Sequence, residues 1–180
     1  MVDETPLKRT EHGLVPEAEG WFVVNAREAR WLDDGGLGYY TPFAGNARFP
    51  KVGINLAVLE PGQPNGMYHG EDEQEDFLVL AGTCLLLVEE QQRELKAWDF
   101  VHCPAWTDHI FVGAGDGPCA ILMIGSRTTP DPGLIYPESE LAQRHDAGVE
   151  KETPSAEEAY RRFPNRKQPT PYRDGWLPGT

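Results

Sequence analysis

The sequence predicts an all-β protein, built as an antiparallel sandwich or closed barrel, with short helices and an irregular tail at its C-terminal end. Three observations carry this expectation. Between residues 21 and 126 short apolar runs recur at regular spacing, bounded by Gly, Pro, Asp or Asn. The 180 residues include 19 Gly and 16 Pro, which favours many turns and short strands over long helices. No internal repeat with a period of about 20–50 residues is present, which excludes a solenoid or propeller.

The elements follow in order. Residues 1–20 are polar and read as an N-terminal arm. Residues 21–126 carry the β-type runs and read as the barrel: WFVVN (21–25), GINLAVLE (53–60), MYH (67–69), DFLVLA (76–81), TCLLLVEE (83–90), RELKA (93–97), DFVHC (99–103), HIFVG (109–113) and CAILMIG (119–125). The segment from Gly113 to Pro118 reads as a turn between two strands, because it lacks the strand-to-helix context of a dinucleotide loop. Residues 127–180 are poor in aliphatic side chains and read as a C-terminal helical and Pro-rich extension. Two short helices are predicted there, Glu138–His145 and Ser155–Arg162, the second opening on the capping-box pattern Ser155-Ala-Glu-Glu158. The remainder, from about residue 147, is expected outside the barrel core and open to proteases.

Charge narrows the function classes. Sixteen basic residues stand against 29 acidic ones, a net charge of −13. A nucleic-acid partner needs a basic face to replace counterions, and an anionic membrane disfavours such a chain for the same reason. The apolar runs are far shorter than the roughly 20 residues that span a bilayer. The first residues, MVDETPLKRTEHG, show no apolar secretory core, so a cytoplasmic protein is expected. Cys84, Cys103 and Cys119 are an odd set without CxxC spacing, and three free thiols are predicted.

Four residues stand out for chemistry: His69, Glu71, Glu75 and His109. Positions i and i+2 of a strand share a face, so His69 and Glu71 project together. Glu75 shares a face with Phe77 and Val79, and His109 with Phe111. If these strands are neighbours, two imidazoles and two carboxylates converge inside the barrel. That mixed N/O set suits one divalent transition metal: Mn, Fe, Zn or Ni. An inward carboxylate must be paired or bind a cation, because burying it alone costs several kcal/mol or more. Glu71 reads as a ligand, as a general base beside the metal, or as an exposed turn residue. Asp72, Glu73 and Asp76 read as solvated, Tyr68 as sheet packing, and His102 as structural. Cys103 and Cys119 read as small buried hydrophobes. Phe77, Trp98, Trp106 and Phe111 read mostly as core, with one or two lining a small-molecule pocket. No nucleophile-base spacing is evident.

On these residues the chain resembles the cupin superfamily. The first cupin motif is matched by Gly62-Gln-Pro-Asn-Gly-Met-Tyr-His69-Gly-Glu71-Asp-Glu-Gln-Glu75 and, six residues on, Gly82. The second is matched from Trp98 through Pro104, Trp106 and His109 to Gly113, with every spacing kept. The departures are Glu71 for the second His, one extra residue before His69, Trp98 and Trp106 where Gly is usual, and Gly113 where Asn is usual. The resemblance covers roughly residues 50–125. It implies a cupin β-barrel (a double-stranded β-helix or jelly roll) and a divalent metal. His69, Glu75 and His109 stand at ligand positions, and Glu71 stands where a third His is usual. It also implies a homodimer formed through N-terminal strands, for which WFVVN offers an apolar edge.

Three functions follow as expectations. One is a metal-dependent enzyme of the oxygenase, isomerase or lyase kind acting on a small molecule, with Glu71 as ligand or base. Another is a non-catalytic small-molecule binding or sensing barrel, with or without metal. The last is a structural barrel with a degenerate site. The fold alone does not choose among them.

Overall fold

The computed structural model describes residues 1–45, 49–128 and 133–179. In chain order the strands are β1 (Leu7–Thr10), β2 (Gly13–Pro16), β3 (Trp31–Asp33), β4 (Tyr39–Pro42), β5 (Val52–Leu59), β6 (Gly70–Glu71), β7 (Glu75–Ala81), β8 (Thr83–Val88), β9 (Gln91–Lys96), β10 (Phe100–Cys103), β11 (His109–Ala114), β12 (Cys119–Ser126) and β13 (Leu134–Ile135). Two one-turn helices follow, α1 (Glu140–Gln143) and α2 (Ala156–Ala159), and then β14 (Gln168–Thr170). No helix among the described residues is long and apolar enough to cross a membrane.

The strands form an all-β barrel. One wall is a seven-stranded sheet in the order β10-β7-β12-β5-β4-β3-β14. The facing wall is β11-β8-β9, and every strand pairing is antiparallel. Residues 62–69 run along the free side of β11: Gly62 N–H bonds Gly113 O, Asn65 N–H bonds Phe111 O, and His69 exchanges both backbone bonds with His109. Alternation sets the core. From the inner faces Phe77, Val79, Leu86, Phe111, Ile121 and Leu59 pack together with all three cysteines. The cysteines are buried and free.

Two turns show how the walls close. The β8–β9 hairpin turns on Glu89 and Glu90, both at positive φ (47° and 57°), the twist that suits a two-residue hairpin. These residues carry a Cβ, and the turn is tied down: the Tyr68 hydroxyl accepts Glu90 N–H at 3.2 Å, and Glu89 accepts Asp108 N–H at 2.9 Å. Gly113 stands where the cupin pattern has Asn because any Cβ there would run into the Glu60 carbonyl.

Several expectations are revised. Residues 21–25 form no strand; Trp21 makes a single bridge to Glu4, and Val23 is exposed. The apolar edge from which N-terminal pairing was inferred is therefore absent. Strands β3 and β4 supply that part of the sheet instead, and the polar first residues contain the β1–β2 hairpin. Trp98 and Trp106 are not core: both sit at positive φ (78° and 65°) at turn apices, where their rings project outward, 75% and 55% exposed. Glu73 is buried because Ser126 Oγ, Thr128 N–H and Thr128 Oγ1 all donate to its carboxylate. The tail is not loose. β14 pairs with β3, and Trp176 is buried against Trp31 (5.0 Å between ring centroids) and Tyr39 (4.4 Å). Aromatic rings there do the work that aliphatic side chains do elsewhere. The helices fall inside the predicted segments but span one turn each, opened by Ser139 and Ser155 as N-caps. Glu158 bonds Thr153 Oγ1 rather than closing the capping box.

Candidate metal centre

The four residues singled out by spacing come together at one end of the barrel. His109 opens β11 and Glu75 opens β7; His69 lies opposite His109 as an isolated bridge, and Glu71 ends β6. One donor atom from each of His69, Glu71 and Glu75 lies within 4.8 Å of the other two. His109 Nε2 lies 3.2 Å from Glu75 Oε2, and the two imidazole centroids are 5.3 Å apart. Phe77 meets the His109 ring edge-on at 5.2 Å and walls the centre on the core side.

Both imidazoles are set by the same local device. His69 Nδ1 is 2.8 Å from the Met67 carbonyl, and His109 Nδ1 is 2.9 Å from the Thr107 carbonyl. A carbonyl only accepts, so each Nδ1 carries a proton. When neutral, each ring then presents an Nε2 lone pair to the interior, the tautomer a metal ligand requires. Glu75 Oε2 is buried and makes no hydrogen bond, although His109 Nε2 stands 3.2 Å away. The donor atoms close enough together to share a divalent cation are those of His69, Glu71 and Glu75; His109 stands against Glu75, outside that group.

Electrostatics agree. Burial lowers His109, but the neighbouring Cys103 thiol and Glu75 carboxylate outweigh it and push the group up to about 10. Without a cation a proton takes its place. Burial, then the charge of His109, holds His69 below its ordinary value. Burial would raise Glu75, yet the adjacent imidazole of His109 holds it below the usual range. Glu71 is pushed up to about 7, first by burial and then by the charge of Glu75.

Of the other residues weighed from sequence, Tyr68 is buried packing, and His102 Nδ1 pairs with Asp76 at 2.7 Å on the outer face. Sequence reasoning missed Tyr136 and Tyr160, from the C-terminal extension. The Tyr136 ring centroid is 5.9 Å from that of His69, and the Tyr160 hydroxyl accepts Met67 N–H at 3.2 Å. Nothing in their sequence surroundings signals this, because it depends on a fold-back of more than 60 residues.

A mixed imidazole-carboxylate cluster inside an antiparallel barrel defines a class of small β-barrel proteins able to hold a metal. Residues 55–125 match the cupin domain family model. Over that stretch the chain carries a cupin domain, and its barrel is similar to the solved structures below. No curated protein matches the chain. Among solved structures, one from Acidithiobacillus ferrooxidans, provisionally described as a sugar phosphate isomerase, aligns at 27% identity and a TM-score of 0.50. It covers 56% of this chain and 65% of that one, so the match spans just under two thirds of the relative. The polyketide cyclase RemF from Streptomyces resistomycificus aligns at 13% identity and a TM-score of 0.54, covering 62% of this chain and 83% of that one. A Cupin 2 conserved barrel domain protein from Salinispora arenicola aligns at 18% identity and 0.50, covering 62% and 92%. The last two show the fold and nothing of activity.

Proposed function

We propose that the protein is a metal-dependent cupin that acts on a small molecule by isomerase, lyase or oxygenase chemistry. The observation that carries this reading is the clustering of donor atoms from His69, Glu71 and Glu75 within 4.8 Å of one another, with His109 against Glu75, both Nδ1 atoms anchored and one buried carboxylate oxygen left without a donor. One divalent transition metal, Mn, Fe, Zn or Ni, suits that donor set. When bound, such an ion supplies Lewis-acid polarisation of an oxygen on the bound molecule. The chain does the rest. His69 and His109 offer neutral nitrogens, and Glu75 offsets one positive charge. Glu71 adds a second carboxylate, which completes the ligand set and takes a proton when the bound molecule presents one. Phe77 and Phe111 keep water from the core side. The likeness to a provisionally described sugar phosphate isomerase supports a small, oxygen-rich substrate.

The test is elemental analysis of protein purified without a metal-binding tag, then titration with Mn, Fe, Zn and Ni in turn. One metal per chain is expected. Wild-type protein that binds none of the four overturns the reading. A protein that holds metal but turns over no oxygen-rich small molecule is the binding or sensing barrel instead. The same reading places the protein in the cytoplasm, with its three buried cysteines reduced. Thiol titration of denatured, unreduced protein should give three per chain, and a count near one contradicts this. The cupin resemblance also supports a homodimer, which light scattering at the mass of a single chain would remove.

A further inference from the structure

The cupin domain match ends at residue 125, yet the segment bearing His69 and Glu71 is enclosed from outside by residues beyond that point. On its inner side the segment bonds β11 through His69 and His109. On its outer side the backbone of Met67, Tyr68 and Gly70 is met by the C-terminal extension, while Trp106 N–H bonds Glu71 O from the barrel. Leu134 and Ile135 pair with Glu71 and Gly70. Tyr68 N–H bonds Ala147 O at 2.7 Å, and Met67 N–H bonds the Tyr160 hydroxyl at 3.2 Å. Met67 itself is buried among Tyr136, Val149 and Ala159.

Met67 links the two halves. Its N–H is held by Tyr160, and its carbonyl takes the proton of His69 Nδ1. The seat of the Tyr160 hydroxyl is built on all sides. A Cβ at Gly66 would stand only 3.0 Å from it. Tyr136 meets the Tyr160 ring edge-on at 5.8 Å. The Arg166 guanidinium lies 3.6 Å over the other face of the Tyr160 ring. Arg166 is in turn held in a two-point pair with the buried Asp34, at 3.0 and 2.8 Å.

We infer that Tyr160, backed by Tyr136 and Arg166, is a positioning residue for the metal centre: through Met67 it sets the tautomer and orientation of His69, so the C-terminal extension is part of the site. This rests on the metal reading above. Outer partners of a ligating imidazole fix its ring and raise its basicity, and their loss typically weakens metal binding about 10–100-fold.

The experiment compares wild type with Tyr160→Phe, Tyr136→Phe and, as a control, Tyr172→Phe. Tyr172 also serves the tail, its hydroxyl bonding Arg27 and the Leu177 N–H, but it lies away from the centre. Two readouts are taken: Co²⁺ affinity with its visible absorption spectrum, and the His69 ring ¹⁵N shifts of metal-free protein. Tyr160→Phe should weaken Co²⁺ by about tenfold, change the spectrum and mix the His69 tautomers. Tyr136→Phe should shift both in the same direction by less. Tyr172→Phe should change thermal stability alone. Unchanged ¹⁵N shifts and affinity in Tyr160→Phe overturn the inference, as does an equal change in Tyr172→Phe. If Tyr160→Phe does not fold, unchanged readouts in Tyr136→Phe overturn it. Should wild type bind none of Mn, Fe, Zn, Ni and Co²⁺, the metal reading fails, and the ¹⁵N shifts of metal-free protein still decide the positioning role.

Discussion

His109 and His69 face each other across the same centre with the same local device, an Nδ1 proton given to the carbonyl two residues earlier, but their supports differ. His109 begins a six-residue strand that is buried almost throughout and paired with β8 over its whole length. The barrel alone holds it. His69 lies on a segment that borders β11 on one side and the C-terminal extension on the other. One imidazole is thus set by the barrel itself and the other also by the extension beyond it. A site that spans both can be adjusted on one side without disturbing the core on the other.

The largest effect that separates the two sides is on stability. Phe111, fully buried in β11, should cost about 3–5 kcal/mol when changed to Ala, because it leaves a cavity under both His109 and Phe77. Urea unfolding measures it, and a loss under about 1 kcal/mol would mean the His109 wall relaxes far more than close packing allows. Next, His109→Ala should keep the fold and weaken metal binding by about a hundredfold. A folded variant with full metal content would remove His109 from the donor set. Glu71→Gln should weaken metal by about tenfold, less than His109→Ala, since a neutral amide oxygen still reaches the cation. Unchanged affinity would leave Glu71 a proton carrier only. The smallest difference is dynamic. The amides of Met67 and Tyr68 rely on the extension, while those of Ile110 and Val112 lie in the barrel ladder. Hydrogen exchange should therefore open the first pair by a local route and the second only on global unfolding. Equal protection would show that the extension and barrel form one cooperative unit.

The barrel and the four clustered side chains were legible in the sequence because both are written in short-range patterns. Alternation along residues 75–81 and 119–126 puts Phe77, Val79 and Ile121 inward whatever the partner strand. The i, i+2 step from His69 to Glu71 aims two donors the same way. Other features were not legible for definite reasons. The run 71–76 looks like a solvated acidic loop, but Glu73 turns inward because Ser126 and Thr128, some 50 residues on, supply its donors. WFVVN has the composition of a strand, but only Trp21 at its start finds a bridge partner. Trp98 and Trp106 look like core and lie outside because their backbones take the left-handed turn conformation.

By itself, then, the sequence determined the class of fold, the places of His69, Glu71, Glu75 and His109 on strand faces, and the free state of three separate cysteines. All of these follow from side-chain periodicity, spacing and composition, which act over a few residues. Only the tertiary structure decided which residues stand behind the imidazoles, that Tyr136 and Tyr160 reach back to Met67 with Arg166 over the Tyr160 ring, and that the Pro-rich tail closes on Trp31 through Trp176. Tyr160 lies 93 positions from Met67, and Trp176 lies 145 from Trp31. The energy of such contacts depends on where two distant surfaces meet, and no local pattern in either partner encodes that meeting.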